Sequence, residues 1–268
     1  MTHKPHRVII TGTGRAGTTF LVALLTELGV NTGWKPGEWK PILDQHPAFA
    51  GLERADLNTT AYVVKQPESY CQHLKLYLQH WHIDHVFVLV RDLEEAAQSR
   101  QLNGLLCGGA TCASQQVDVF KHNLGTLFAT MVLENIPFTT LRFPECVQDW
   151  KYVFNKVQWL MPDPARPDRQ SDTALRQAPE QGIQQGIQHG AATPTDATFG
   201  ERALEAAMEH ARRRDAETAE WQQHRLQPHG SPQQANQQAQ FREAFIRVGA
   251  VFRANKQQRK DRAAERTT

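Results

Sequence analysis

Cysteine is scarce in this chain: four residues in 268, at Cys71, Cys107, Cys112 and Cys146, with no Cys-x-x-Cys pair among them. A disulfide-stapled scaffold and a thiolate zinc ribbon both drop out, because Cys107 and Cys112 lack a second pair to complete a site. Free thiols in a reducing cytoplasm are the reading that fits. Charge of one sign is also missing, since 30 Lys and Arg against 28 Asp and Glu leave a net +2. Such a balance offers no global field for nucleic acid or for a membrane surface. Long apolar runs are absent too, and nothing approaches the ~18 residues that a membrane-spanning helix needs. The opening residues, Met1 to Arg7, carry no secretory apolar region and pass straight into a strand pattern. A cytoplasmic protein without a membrane span is the expectation.

What is present begins at Val8. The run Val8-Ile9-Ile10-Thr11-Gly12-Thr13-Gly14-Arg15-Ala16-Gly17-Thr18-Thr19-Phe20 is an apolar strand, a Gly-rich turn and the start of an amphipathic helix. That layout aims backbone N–H groups and the positive end of a helix dipole at one spot, which suits an anion. Glycine lets the backbone come close, and Arg15 adds a charged donor matched to phosphate or sulfate oxygens. The spacing nearly satisfies the nucleotide-binding pattern G-x-x-x-x-G-K-[ST], with Gly12, Gly17 and Thr19 in place. Thr18 stands at the lysine position. The cation has moved to Arg15, on the other side of Gly17.

A second motif lies about seventy residues on. Val86-Phe87-Val88-Leu89-Val90 is a continuous apolar run of the buried-strand type, capped by Arg91-Asp92 and followed by the helix pattern Leu93 to Leu102. An arginine at a strand's C-terminal end and Ser99, about two turns along the next helix, can reach one ligand. Together, Gly14-Arg15-Ala16-Gly17-Thr18-Thr19-Phe20 and the Arg91/Ser99 pair resemble the sulfotransferases. The resemblance covers residues 7–162 and implies a three-layer α/β/α fold with a parallel sheet, of the P-loop NTPase-like class. It implies that Gly12, Gly14, Arg15, Ala16, Gly17, Thr18 and Thr19 hold the 5′-phosphosulfate of the donor PAPS (3′-phosphoadenylyl sulfate). Arg91 and Ser99 would hold its 3′-phosphate. Lys65, in Val63-Val64-Lys65-Gln66-Pro67-Glu68, resembles the K-[ST]-P element whose lysine stabilises charge on the bridging oxygen. The implied partner is a small-molecule or carbohydrate acceptor bearing a hydroxyl or amine, and this chemistry requires no metal.

The chain departs from that family in three places. Gln66 replaces the usual hydroxyl residue, and the late Gly- and Arg-rich loop that closes over the donor adenosine is absent. The general base has no obvious holder, although transfer to a hydroxyl requires one. Glu68 is the nearest carboxylate in sequence, with His46, Asp44 and Glu38 in the segment expected to cover the acceptor. Ordinary readings stand beside these. The Gly12–Thr19 turn can also be read as a tight strand-to-helix connection, although Arg15, Gly17, Thr18 and Thr19 together exceed what a turn requires. Arg91 can be read as a surface arginine paired with Asp92 or Glu95, and Lys65 as a surface lysine at a strand end. Two other functions stay open: a nucleotide-dependent kinase or NTPase with Thr19 on Mg²⁺, and a non-catalytic relative that binds the donor without turnover.

Strand and helix patterns alternate along residues 1–162, which predicts a parallel sheet with helices on both faces. Strands are expected at Arg7–Thr11, Ala61–Lys65, Val86–Val90 and Phe138–Phe143. Helices are expected at Thr18–Leu28, Ser69–Trp81, Leu93–Leu102, Ser114–Glu134 and Glu145–Met161. Residues 31–57 show little periodicity, and Trp34 and Trp39 there are expected to shape the acceptor pocket. Residues 163–199 are poor in large apolar side chains and read as a low-complexity linker. Residues 200–268 read as a helical or disordered tail. Within it, Arg202–Leu226 and Gln233–Ala264 are helical patterns, the second carrying Phe241, Phe245, Val248 and Phe252 on one stripe. The stripe is expected on a mobile, solvated tail, or alternatively docked on the core or on a partner.

Overall fold

The computed structural model of the chain describes residues 4–45, 51–53, 56–67, 69–162 and 232–265. Four strands, β1 (His6–Gly12), β2 (Val63–Lys65), β3 (His82–Val90) and β4 (Phe138–Arg142), form one sheet in the order β2-β1-β3-β4. Every pairing is parallel, with Ile9 opposite both Val64 and Val86, and Val88 opposite Thr140. The connections therefore carry helices: α1 (Thr18–Glu27) and α2 (Trp39–Gln45), then α3 (Ser69–His80), then α4 (Leu93–Leu102) and α5 (Ala113–Leu133). After β4 come α6 (Glu145–Gln148), α7 (Trp150–Val157), a 3₁₀ turn (Gln158–Leu160) and α8 (Pro232–Glu265).

Strand alternation sorts the core into two faces. Val8, Ile10, Val63, Phe87 and Leu89 pack with α1, α7 and α8 on one side. Ile9, Val64, Val86 and Val88 pack with α3 and α5 on the other. Both faces of the sheet are thus covered, as the unbroken apolar runs of β1 and β3 demand.

Helix α1 is buried around its whole circumference from Thr18 to Thr26, where an amphipathic helix with one solvated face was expected. A helix of that kind needs cover on every side. The sheet supplies one side and α8 another. Phe20 meets Phe245 edge-on at 5.2 Å and Phe252 at 5.5 Å, while Phe154 of α7 meets Phe241 at 5.2 Å. Phe241, Ala244, Phe245 and Val248 are buried in the same core as the β1 strand. The expected mobile tail is corrected on this point, because its apolar stripe docks on the core as the missing cover of α1. The linker expected at 163–199 and the helix expected at Arg202–Leu226 lie outside the described residues.

Three smaller corrections follow from local chemistry. The helix expected over Glu145–Met161 is broken at Asp149, whose extended backbone (ψ 102°) starts α7 anew. Its carboxylate accepts from the backbone N–H of Lys151 at 2.9 Å and of Tyr152 at 3.1 Å, an N-cap that competes with helix continuation. Strand β3 begins at His82, four residues before the apolar run, because Trp81, Ile83 and Val86 bury one side while His82 and Asp84 remain polar. Within 31–57, helix α2 forms around Trp39, which is fully buried, stacks on Phe252 at 6.1 Å and donates its indole N–H to Glu27 at 2.8 Å. Trp39 is therefore core rather than a pocket wall, and the partly buried Trp34 packs against the same cluster.

Phe241→Ala removes a fully buried ring, and its expected cost is about 3–5 kcal/mol in urea unfolding. A change within about 0.5 kcal/mol, the size typical of surface sites, would mean that α8 is not part of the core.

Candidate functional site

The C-terminal ends of β1, β2 and β3 gather the charged side chains singled out in the sequence. In a parallel sheet this edge is where connections diverge and ligands sit. Strand order reverses there, since β1 leads to β2 on one side and β2 leads back to β3 on the other.

The turn after β1 is built from residues with positive φ: Gly12 (142°), Gly14 (68°), Arg15 (57°) and Gly17 (92°). Two of these glycines have packing reasons of their own. A Cβ on Gly12 would lie 2.0 Å from the Leu89 carbonyl oxygen of β3, and one on Gly17 would press on Cys146 and Val147 at 3.1 and 3.2 Å. Arg15 has no such reason. A non-glycine residue at φ 57° is held in a sparsely populated conformation, which places a cation at the apex of the turn. Behind it, α1 begins at Thr18 without any side-chain cap on its first turn and without an acidic residue there. Leu21 makes the first helical bond, to the Gly17 carbonyl at 3.0 Å, so the N–H groups of Thr18, Thr19 and Phe20 are the orphan donors of the helix end. Ala16 is buried, and its carbonyl accepts from the Cys146 thiol at 3.5 Å.

Lys65 ends β2 and is 2% exposed, which corrects the surface-lysine alternative. Its ammonium donates to Thr19 Oγ1 at 3.0 Å, to the Gly51 carbonyl at 2.5 Å and to Glu53 Oε1 at 2.6 Å. Burial pushes its pKa down, Glu53 pulls it partly back, and the nearby Arg15 charge lowers it further. The Glu53 carboxylate is thus the stronger charge beside Lys65, and Arg15 the weaker.

The two sequence motifs meet in space. Arg15 Nε donates to Ser99 Oγ of α4 at 3.2 Å, joining the turn to a helix 84 residues away. Arg91 leaves the end of β3, lies 4.9 Å from the centre of the Phe143 ring, and pairs with Glu95 Oε2 at 2.9 Å. The Glu95 pairing is the one the ordinary reading of Arg91 names. Asp92 instead caps α4 by accepting from the Glu95 N–H at 2.9 Å.

Among the base candidates, Glu68 and His46 lie outside the described residues, as does the Asp44 side chain, and Glu38 is exposed and accepts from the Lys35 N–H at 2.9 Å. Sequence reasoning missed Glu53. Its carboxylate sits in the aperiodic segment expected to cover the acceptor, after Gly51 and Leu52 with φ of 116° and 65°. No local pattern marks it, because only the fold of that segment carries it to Lys65.

Comparison with family models, curated proteins and solved structures finds no match to the chain.

Between its lowered folded pKa and the ordinary 10.5, Lys65 holds fewer protons in the folded chain than in the unfolded one. Stability from this group therefore rises with pH across that window. Urea midpoints of the wild type relative to Lys65→Met are expected to climb as the pH is raised toward 10.5. A difference that is flat or falls would contradict a buried, desolvated ammonium.

Proposed function

We propose that the chain is a PAPS-dependent sulfotransferase, with the donor across the C-terminal edge of β1, β2 and β3. One observation carries the reading: Arg15 in the turn and Lys65, bonded to Thr19, bring two cationic side chains to the uncapped N-terminus of α1. An anionic group there meets the orphan N–H donors of Thr18, Thr19 and Phe20 beside these cations. The order of the four strands and the helices on both faces agree with the three-layer P-loop-like arrangement that the resemblance implies.

In this reading Gly12, Gly14, Arg15, Ala16, Gly17, Thr18 and Thr19 surround the 5′-phosphosulfate. Ser99, already joined to Arg15, and Arg91 hold the 3′-phosphate, for which Arg91 exchanges the exposed Glu95 carboxylate. Bound PAPS supplies the sulfuryl group and leaves as PAP. Lys65 stabilises the negative charge that gathers on the bridging oxygen as the old S–O bond breaks. Glu53, within hydrogen-bond reach of Lys65, takes the proton of the acceptor hydroxyl as the new S–O bond forms. These residues come from the turn, from the ends of β2 and β3, from α4 and from the 51–53 segment.

The kinase reading lacks the lysine at position 18 of the Gly-rich turn, where Thr18 stands. The non-catalytic reading gains one observation, the carboxylates already paired with Lys65 and Arg91.

Titration with PAP separates these. Arg15→Ala and Arg91→Ala are each expected to weaken PAP at least tenfold, a loss of about 1.4 kcal/mol, while Glu95→Gln tightens it by freeing Arg91. Glu53→Gln should keep PAP affinity and lose transfer to an acceptor. Unchanged affinity in both arginine variants would end the proposal, and tight PAP binding with no transfer to a broad panel of hydroxyl and amine acceptors would leave the non-catalytic protein.

A further inference from the structure

The opposite edge of the sheet holds a second cluster, far in the fold from the Gly-rich turn. His6 opens β1, His82 opens β3, and the two are register partners. Their rings lie 4.6 Å apart, centre to centre. Two residues along β3 the register shifts: Arg7 pairs with Ile83 and Val8 with His85, so Asp84 is the extra residue of a bulge. Bulges re-aim a side chain out of the regular alternation. Here the bulge places Asp84 Oδ1 2.7 Å from His6 Nδ1 and 3.6 Å from His82 Nε2. Neighbouring Arg7 turns to the other side of the strand, with its guanidinium 5.7 Å from the centre of the Trp81 ring.

We propose that His6, His82 and Asp84 form a binding site for a divalent transition-metal ion of the zinc class. Three features carry this. Nδ1 of His6, Nε2 of His82 and a carboxylate oxygen of Asp84 all lie within 4.8 Å of one another. Donors sharing one tetrahedral zinc ion stand about 3.3 Å apart, given metal–ligand bonds of about 2.0–2.1 Å, so small side-chain rotations bring all three onto a common ion. The Asp84 side chain is only 4% exposed, unlike the solvated carboxylates that cluster on surfaces without a function. Its second oxygen, Oδ2, accepts from the Tyr62 hydroxyl at 3.0 Å, which fixes the carboxylate and turns Oδ1 toward both imidazoles. An outer hydrogen bond of this kind orients a metal ligand. Two imidazoles with one carboxylate suit zinc, nickel or copper better than magnesium or calcium, which want all-oxygen shells. His82 is 57% exposed, so water has room to complete the coordination from the solvent side. Zinc takes the lone pair of a neutral imidazole, so any proton on a ligating ring nitrogen leaves to solvent on binding. The ion would tie the first residue of β1 to the first residues of β3.

The test is a titration of the full chain with Zn²⁺ against a chromophoric chelator, with Mg²⁺ as the control. The wild type is expected to take up one equivalent that His82→Ala and Asp84→Asn both lack, and Tyr62→Phe should bind it roughly tenfold more weakly. His82 is exposed, so His82→Ala keeps the result readable if Asp84→Asn does not fold. Zinc uptake that is identical in His82→Ala and wild type, or no uptake at equimolar ion, would overturn the site and leave the cluster as an Asp–His ion pair. Arg15→Ala should bind zinc as the wild type does, which separates this site from the anion site.

Discussion

Everything at the candidate site hangs on the burial of α1. Its first turn can present unsatisfied N–H groups to a ligand only if the helix behind it cannot shift, and that rigidity comes from apolar contact on every side. The sheet covers one flank through Val8 and Ile10, and α8 covers another through Phe245 and Phe252 against Phe20. Glu27 fastens the far end. Its carboxylate accepts from the Trp39 indole and the Gly37 N–H, and lies 3.9 Å from Arg247 of α8. A helix at the very end of the described chain thus holds the turn near its beginning.

On that rigid base the charges are arranged in tension. Lys65 is buried beside Glu53 and near Arg15, while Arg91 is divided between the Phe143 ring and Glu95. Burial pushes the Lys65 pKa down, and the carboxylate next to it works the other way. The same pairing gives an enzyme its electrostatic stabiliser and its proton acceptor side by side, or gives a binding protein a neutralised pocket.

Most of the sheet could be read from period and composition. Continuous apolar runs in β1 and β3 meant strands buried on both faces, and the Gly-rich turn announced a helix start. Arg15, Arg91 and Ser99 were visible as spaced motifs, and the structure joins Arg15 to Ser99 directly. What stayed hidden depends on contacts distant in sequence. Glu53 reaches Lys65 only through the path of an aperiodic segment, and α8 joins the core across a stretch whose composition reads as a linker. His6 and His82 are 76 positions apart, and only the β1–β3 register makes them neighbours. Asp149 is a different kind of miss, since an aspartate within a helical pattern can cap as well as continue, and the preceding residues decide which.

The central claim is that the C-terminal edge of β1, β2 and β3 is a site for a 3′-phosphorylated adenosine nucleotide. Thermal unfolding with PAP, with ATP and with ATP plus Mg²⁺ tests it most directly. A ligand bound only by the folded state adds about 2.7 kcal/mol at ~100 times its Kd. The account predicts a clear upward shift of the midpoint with PAP and little with ATP, whether or not Mg²⁺ is present. A shift confined to ATP with Mg²⁺, or none with PAP at any concentration, would contradict it.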